Sequence, residues 1–231
     1  MGAGLWLSPF LLVIVAACAP VRRVAPVEVG QHILSAGFGG PIAEVGRGTG
    51  IYMPAPVITA GYGYGLHELF DLEAGLQVTE LFVGGLALDA GVNFRPLRPE
   101  GFRPGLIFPV KVHGLVPFRG RGVDTMRLYP DIGVTALWQW PDRHFYTYVG
   151  VTVWFDLASR GDGNDQPSRV LPVMHLGQTL GNEIWQFSVE LRYYTPNISD
   201  EFRLVDVADL GGQGSLGAVL GFSWALGGAN Q

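Results

Sequence analysis

The chain has 231 residues, 48% hydrophobic and only 15% charged, with 34 glycines and a net charge of −5. An average soluble domain is about 25% charged, so the composition is too apolar for a disordered chain and lacks the basic excess of a nucleic-acid binder. The single cysteine, Cys18, excludes an intramolecular disulfide framework and any multi-cysteine zinc site.

Residues 5–17 (LWLSPFLLVIVAA) form an apolar run of signal-peptide length, short for a membrane helix. It ends in Val15-Ala16-Ala17-Cys18, followed by Ala19 and Pro20. The box resembles the bacterial lipoprotein signal, in which an aliphatic residue and two small residues precede the acylated cysteine. The resemblance implies removal of 1–17, a diacylglyceryl and acyl lipid anchor on Cys18, and handling by the lipoprotein-processing machinery. Ala19 is not the aspartate that favours inner-membrane retention in enterobacterial lipoproteins, which points to the outer membrane. Ala17-Cys18-Ala19 also fits the small-x-small site of an ordinary secretory signal, the alternative to the lipid-anchored form. Residues 18–30 then read as a periplasmic tether and 31–231 as one domain.

From Gln31 to Leu226 apolar and polar residues alternate, the period of a β-strand. Ten segments follow, at 31–40, 56–65, 70–79, 84–96, 105–117, 127–140, 145–157, 169–179, 184–195 and 215–226; eight is the alternative if the glycine-rich first pair is irregular. The uncharged stretches 48–66 and 211–231 hold too much glycine or proline for helices. Connections at 66–69, 97–104, 141–144 and 180–183 are short. Those at 41–55, 118–126, 158–168 and 196–214 are long, and the link at 80–83 is the one short return on their side. Brief turns at one end and long loops at the other match an up-and-down barrel spanning the outer membrane, with the short turns periplasmic.

Alternation alone leaves a soluble barrel or sandwich open. Four features favour the membrane: a glycine-rich polar phase, suited to a narrow lumen; a single lysine, Lys111, where soluble β-proteins guard edges with many; aromatics gathered at two levels, as in interfacial girdles; and charges of both signs on the polar phase, able to pair inside. The girdle on the short-turn side comprises Tyr64, Phe70, Phe94, Trp138, Trp140, Phe145, Trp185 and Trp224, with Phe155 and Tyr193 opposite. This reading requires Leu76, Val149 and Leu191 to face outward, and Glu73 and Arg192 inward. The chain resembles the small outer-membrane barrel proteins, the OmpA- and OmpW-like transmembrane barrels. Its last strand, Gly221-Phe222-Ser223-Trp224-Ala225-Leu226, is similar to their C-terminal assembly signal, which implies a barrel-assembly machinery as partner. Val219 in place of a polar residue and the five residues after Leu226 depart from that pattern.

The expected lumenal charge network is Asp71, Glu73, Asp89, Arg95, Lys111, Arg127, Asp131, Asp156, Glu190 and Arg192. Arg127 and Arg192 are expected to cross towards a glycine wall formed by the first, second and last strands and plug the lumen; an open slot for small solutes is the alternative. Catalytic constellations are thin. His113 and His175 share the polar phase with Asp131 and Asp156, a conceivable acid–base pair, and Ser35 or Ser188 would need His175 nearby. No spacing suggests a metal site. The loop 160–168 reads as solvated, and 196–214 as a segment able to fold over the barrel mouth. The expected role is structural, adhesive or limited passage of small solutes, with outer-membrane lipid as partner, no cofactor beyond the anchor and no nucleic acid. The alternatives are a barrel enzyme acting on lipid or peptide, and a soluble lipid-tethered binding barrel.

Overall fold

A computed structural model describes residues 23–44, 52–54, 57–117, 127–141, 145–155, 157, 170–194 and 215–226. They form strands β1 (His32–Glu44), β2 (Tyr52–Pro54), β3 (Ile58–His67), β4 (Phe70–Gln77), β5 (Gly85–Leu97), β6 (Gly105–Pro117), β7 (Arg127–Gln139), β8 (Tyr146–Phe155), β9 (Val170–Gly181), β10 (Trp185–Tyr194) and β11 (Ser215–Leu226), with one short helix, α1 (Val78–Val83). From β3 onward each strand pairs antiparallel with the next, β1 pairs with β3, and β11 closes on β1 from His32↔Leu226 to Pro41↔Gly217. The result is the closed ten-strand up-and-down barrel expected from the alternation. The three-residue β2 only extends the end of β1, through Ile42↔Pro54 to Glu44↔Tyr52. Among the described residues no helix is long and apolar enough to cross a membrane.

Two connections differ from expectation. β1 runs four residues past Gly40, so the expected loop 41–55 holds a short hairpin. Residues 78 and 79, read as a strand end, instead begin α1. The Thr79 hydroxyl accepts the Ile58 N–H at 2.8 Å. Gly84, at φ 99°, closes the helix in the left-handed region, where its N–H donates to the Glu80 carbonyl at 3.0 Å. Period-two reasoning has no means of seeing a single helical turn inserted between two strands.

Burial is inverted relative to a soluble domain. Leu34, Val110, Val149, Leu176 and Leu191 on the outer face are 44–55% exposed. Asp71, Asp131, Glu190 and Arg192 on the inner face are at most 3% exposed. Leu76 lies on the outer face of β4 and Glu73 on the inner. An apolar band that continues around ten strands far exceeds the few hundred Å² a soluble monomer exposes contiguously. At the short-turn end the outward rings touch in a belt. Phe70 stacks on Phe94 (centroids 5.0 Å apart) and Phe94 meets Phe108 (6.3 Å). Trp140 meets Phe145 (6.3 Å) and donates its indole N–H to Thr147 at 2.9 Å. Rings with one apolar body and one polar tip suit a boundary between hydrocarbon and water.

Candidate functional site: the barrel lumen

The polar phases of β4–β8 converge on one charged wall, because antiparallel register sets inward residues side by side. Row by row these are Asp71↔Asn93, then Glu73↔Gly91↔Lys111↔Asp131, then Gly75↔Asp89↔His113↔Tyr129. Arg95 pairs with Asp71, and Asn93 donates to the other Asp71 oxygen at 2.6 Å. Lys111 pairs with Glu73 across Gly91, whose missing side chain leaves the space Lys111 fills. His113 Nε2 meets Asp131 Oδ2 at 2.8 Å, and the His113 ring stacks on Trp154 with centroids 4.7 Å apart. On the far side Arg192 pairs with Glu190, which also accepts the Tyr148 hydroxyl at 2.9 Å. Buried charges are tolerated only when paired and hydrogen-bonded, and six of the expected charges meet partners within the expected set: Asp71 with Arg95, Glu73 with Lys111, and Glu190 with Arg192. Asp131 pairs outside it, with His113.

Asp89 is the exception. It is 5% exposed, its carboxylate lies over Gly75, where any side chain would collide with it, and among the described residues neither oxygen has a hydrogen-bond partner. Arg192 runs back along its own strand to Glu190 rather than across to the glycine wall, contrary to the plug expected of it. The side chain of Arg127 lies outside the described residues, as do Asp156, Cys18 and the loops 158–168 and 196–214.

Neither serine that an acylating pair would need lies beside His175. Ser188 faces Thr179, with the two hydroxyls 2.8 Å apart, whereas His175 sits opposite Arg192, four residues along β10. At about 3.3 Å per residue that offset is about 13 Å. Ser35 lies in the row Ser35↔Ser223↔Gln186↔Gly181, six residues from His175 along β9. His175 Nε2 instead contacts the Thr135 hydroxyl at 3.0 Å. Among the described residues no three His, Cys, Asp or Glu side chains gather as a metal site.

What fills the short-turn half of the lumen is the segment read as a tether. Val24 and Ala25, 1% and 2% exposed, pack among Ile107, Leu137, Tyr146 and Tyr148 from β6–β8. Arg95 donates to the Val24 carbonyl at 2.7 Å and to the Arg23 carbonyl at 3.3 Å. The chain crosses from wall to wall over Gly65, where any side chain would collide with the Glu28 carbonyl. Gly30 and Gln31 then join the barrel by exchanging backbone hydrogen bonds with Gly65 at 2.8 and 3.0 Å. The cavity left between Arg23, Glu73, Asn93, Lys111 and Thr135 is about 10 Å³, the lower limit for a single water. A signal for this was present: a solvated tether would be polar, and 24–29 carries Val24, Ala25, Val27 and Val29.

A closed strand ring, an apolar outer belt and an interior lined with paired charges and filled at its short-turn half define the architectural class of the outer-membrane β-barrel. No family model and no curated protein matches the chain. Solved structures with a similar outline include the translocator domain of the autotransporter NalP from Neisseria meningitidis (12% identity, TM-score 0.44, 86% of this chain and 89% of that one). Others are the outer-membrane protease OmpT from Escherichia coli (9%, 0.43, 85% and 97%) and the outer-membrane protein OprG from Pseudomonas aeruginosa (11%, 0.32, 88% and 99%). The barrel of this chain stands on its own strand pairing.

Proposed function

We propose that the protein is an outer-membrane lipoprotein barrel: exported by residues 1–17, acylated at Cys18, and spanning the membrane with its short turns in the periplasm and its long loops outside. Its role is structural or adhesive, with at most limited passage of small solutes. The observation that carries the reading is the inverted burial of the ten strands, a lipid-facing apolar belt around an ion-paired interior. The length of the N-terminal segment agrees with it. Glu73, beside Arg23, lies three residues from the turn-side end of β4, about 10 Å of strand. The five residues back to Cys18 reach about 17 Å when extended, enough to carry an anchor to the barrel rim. The filled short-turn half of the lumen favours a structural or adhesive role over a general pore.

The test compares the full chain with its Cys18→Ser form, each run unheated and heated on a denaturing gel and extracted with and without detergent. The reading expects a heat-dependent mobility shift and a detergent requirement in both forms, with acyl mass on the N-terminal peptide of the first alone. Cys18→Ser protein that stays in aqueous solution and shows no shift overturns the spanning barrel. An unacylated wild-type N-terminus overturns the lipoprotein.

A further inference from the structure

We propose that residues 23–30 are a releasable strap that shuts the lumen, latched by Arg95 and hinged at Gly30, so that passage through the barrel requires the strap to withdraw. The inference rests on the spanning-barrel reading above.

Three features of the segment suit release better than permanent filling. Among the described residues its hydrogen bonds to the charged wall come from one side chain: Arg95 donates to the main-chain carbonyls of Arg23 and Val24, a grip on backbone that any extended segment offers. Its leading residue is poorly compensated. Arg23 contacts the Ala25 carbonyl and the Ser223 hydroxyl at 3.4 Å each, the long limit of hydrogen bonding, and among the described residues it forms no ion pair. It also lies beside the like charge of Arg95, and the carboxylates near it, Asp71 and Glu73, are already paired with Arg95 and Lys111.

The far end of the strap is built to turn. Gly30, at φ 79°, adopts a left-handed conformation with open space where a side chain would stand, so the backbone can swing there without a clash. Pro26 leaves the strap with one N–H fewer to satisfy inside the barrel and holds the preceding residue extended. The walls support themselves without it. Each strand of the barrel keeps both neighbours through its own ladder, and Arg95 retains Asp71 when the strap leaves. Withdrawal exposes Ile107, Leu137, Tyr146 and Tyr148 to the lumen, a modest apolar cost set against the freed Arg23 charge.

Single-channel recording of the full chain in planar bilayers tests the strap, after a heat-dependent gel shift has established that each protein is a folded barrel. Wild type is expected to be silent with rare openings. Arg95→Ala removes the latch, and Val24→Gly with Ala25→Gly loosens the strap while leaving every wall residue in place. Either change is expected to raise the open fraction at least about tenfold. Val24→Cys with Leu137→Cys, in a Cys18→Ser background, is expected to hold the lumen shut until a reductant is added. Folded variants no more conductive than wild type, or a wild type that conducts steadily, overturn the strap. If Arg95→Ala does not fold, the glycine pair decides alone. A chain with no gel shift and no detergent requirement fails the barrel reading instead, before any current is measured.

Discussion

Leu191 and Arg192 are consecutive in β10, yet the leucine is 54% exposed and the arginine 3%. In a water-soluble sheet the order is reversed, because removing apolar area from water is the main stabilising term. Here the outer surface leaves that term to a second solvent, and the inner surface spends its contacts on satisfying charge. The two surfaces also differ in how they tolerate change. The outer one needs only apolar character, residue by residue. The inner one is a set of specific pairs in which each member depends on another.

Three substitutions sharpen that contrast, taken from the largest expected effect. Arg192→Leu leaves Glu190, which is fully buried, without its cation; losing one partner of a buried pair costs about 3–5 kcal/mol. Unfolding in urea from detergent or lipid should show the loss, and Arg192→Leu combined with Glu190→Gln should recover part of it. One position away, Leu191→Arg places a charge on the lipid face, at a cost of about 2–4 kcal/mol near mid-bilayer. That penalty should appear in bilayers and shrink once the barrel is unfolded into detergent-free urea. Equal insensitivity of both positions would erase the distinction between the surfaces.

The third substitution lies at the rim, outside the strands. Glu80 of α1 is 2% exposed, and burial pushes its carboxyl up to about 7 from its ordinary 4.5. A carboxyl raised in the folded state stabilises α1 fully at acidic pH, and the stabilisation is lost as pH climbs from about 4.5 to 7. Hydrogen exchange of residues 78–83 should therefore slow at pH 5 relative to pH 8, by about 2 kcal/mol of protection. In Glu80→Gln the difference should vanish, while the strands keep their exchange rates in both proteins.

The two surfaces were also unequally legible. The division of each strand into two faces followed from period two, since a strand that keeps its register cannot move one side chain to the other face without moving all; which face turns outward followed from the glycine-rich polar phase, the single lysine, the levels of the aromatics and the mixed charges. Hence the bounds of β6 and β11 match the expected 105–117 and 215–226. The charged residues of the interior were identifiable as a set, but not as pairs. Lys111 reaches Glu73 across Gly91 on the strand between them, and Arg192 turns to Glu190 on its own strand. Partner choice depends on rotamers and local volume, which alternation does not encode. The strap escaped notice for a related reason: Val24 and Ala25 find their partners on β6–β8, more than eighty residues away. α1 was hidden because one helical turn is shorter than the window over which a period can be recognised.

The central claim is the direction in which the two faces of each strand point. A nitroxide placed in turn at positions 187 to 192 of β10, in a Cys18→Ser chain reconstituted in bilayers, reads it directly through collision with oxygen, which partitions into lipid, or with a water-soluble nickel chelate. The account predicts strong oxygen relaxation at 187, 189 and 191, weak relaxation at 188, 190 and 192, and little nickel contact along the outward phase. Odd positions that collide chiefly with nickel, or no alternation between the two sets, would contradict it.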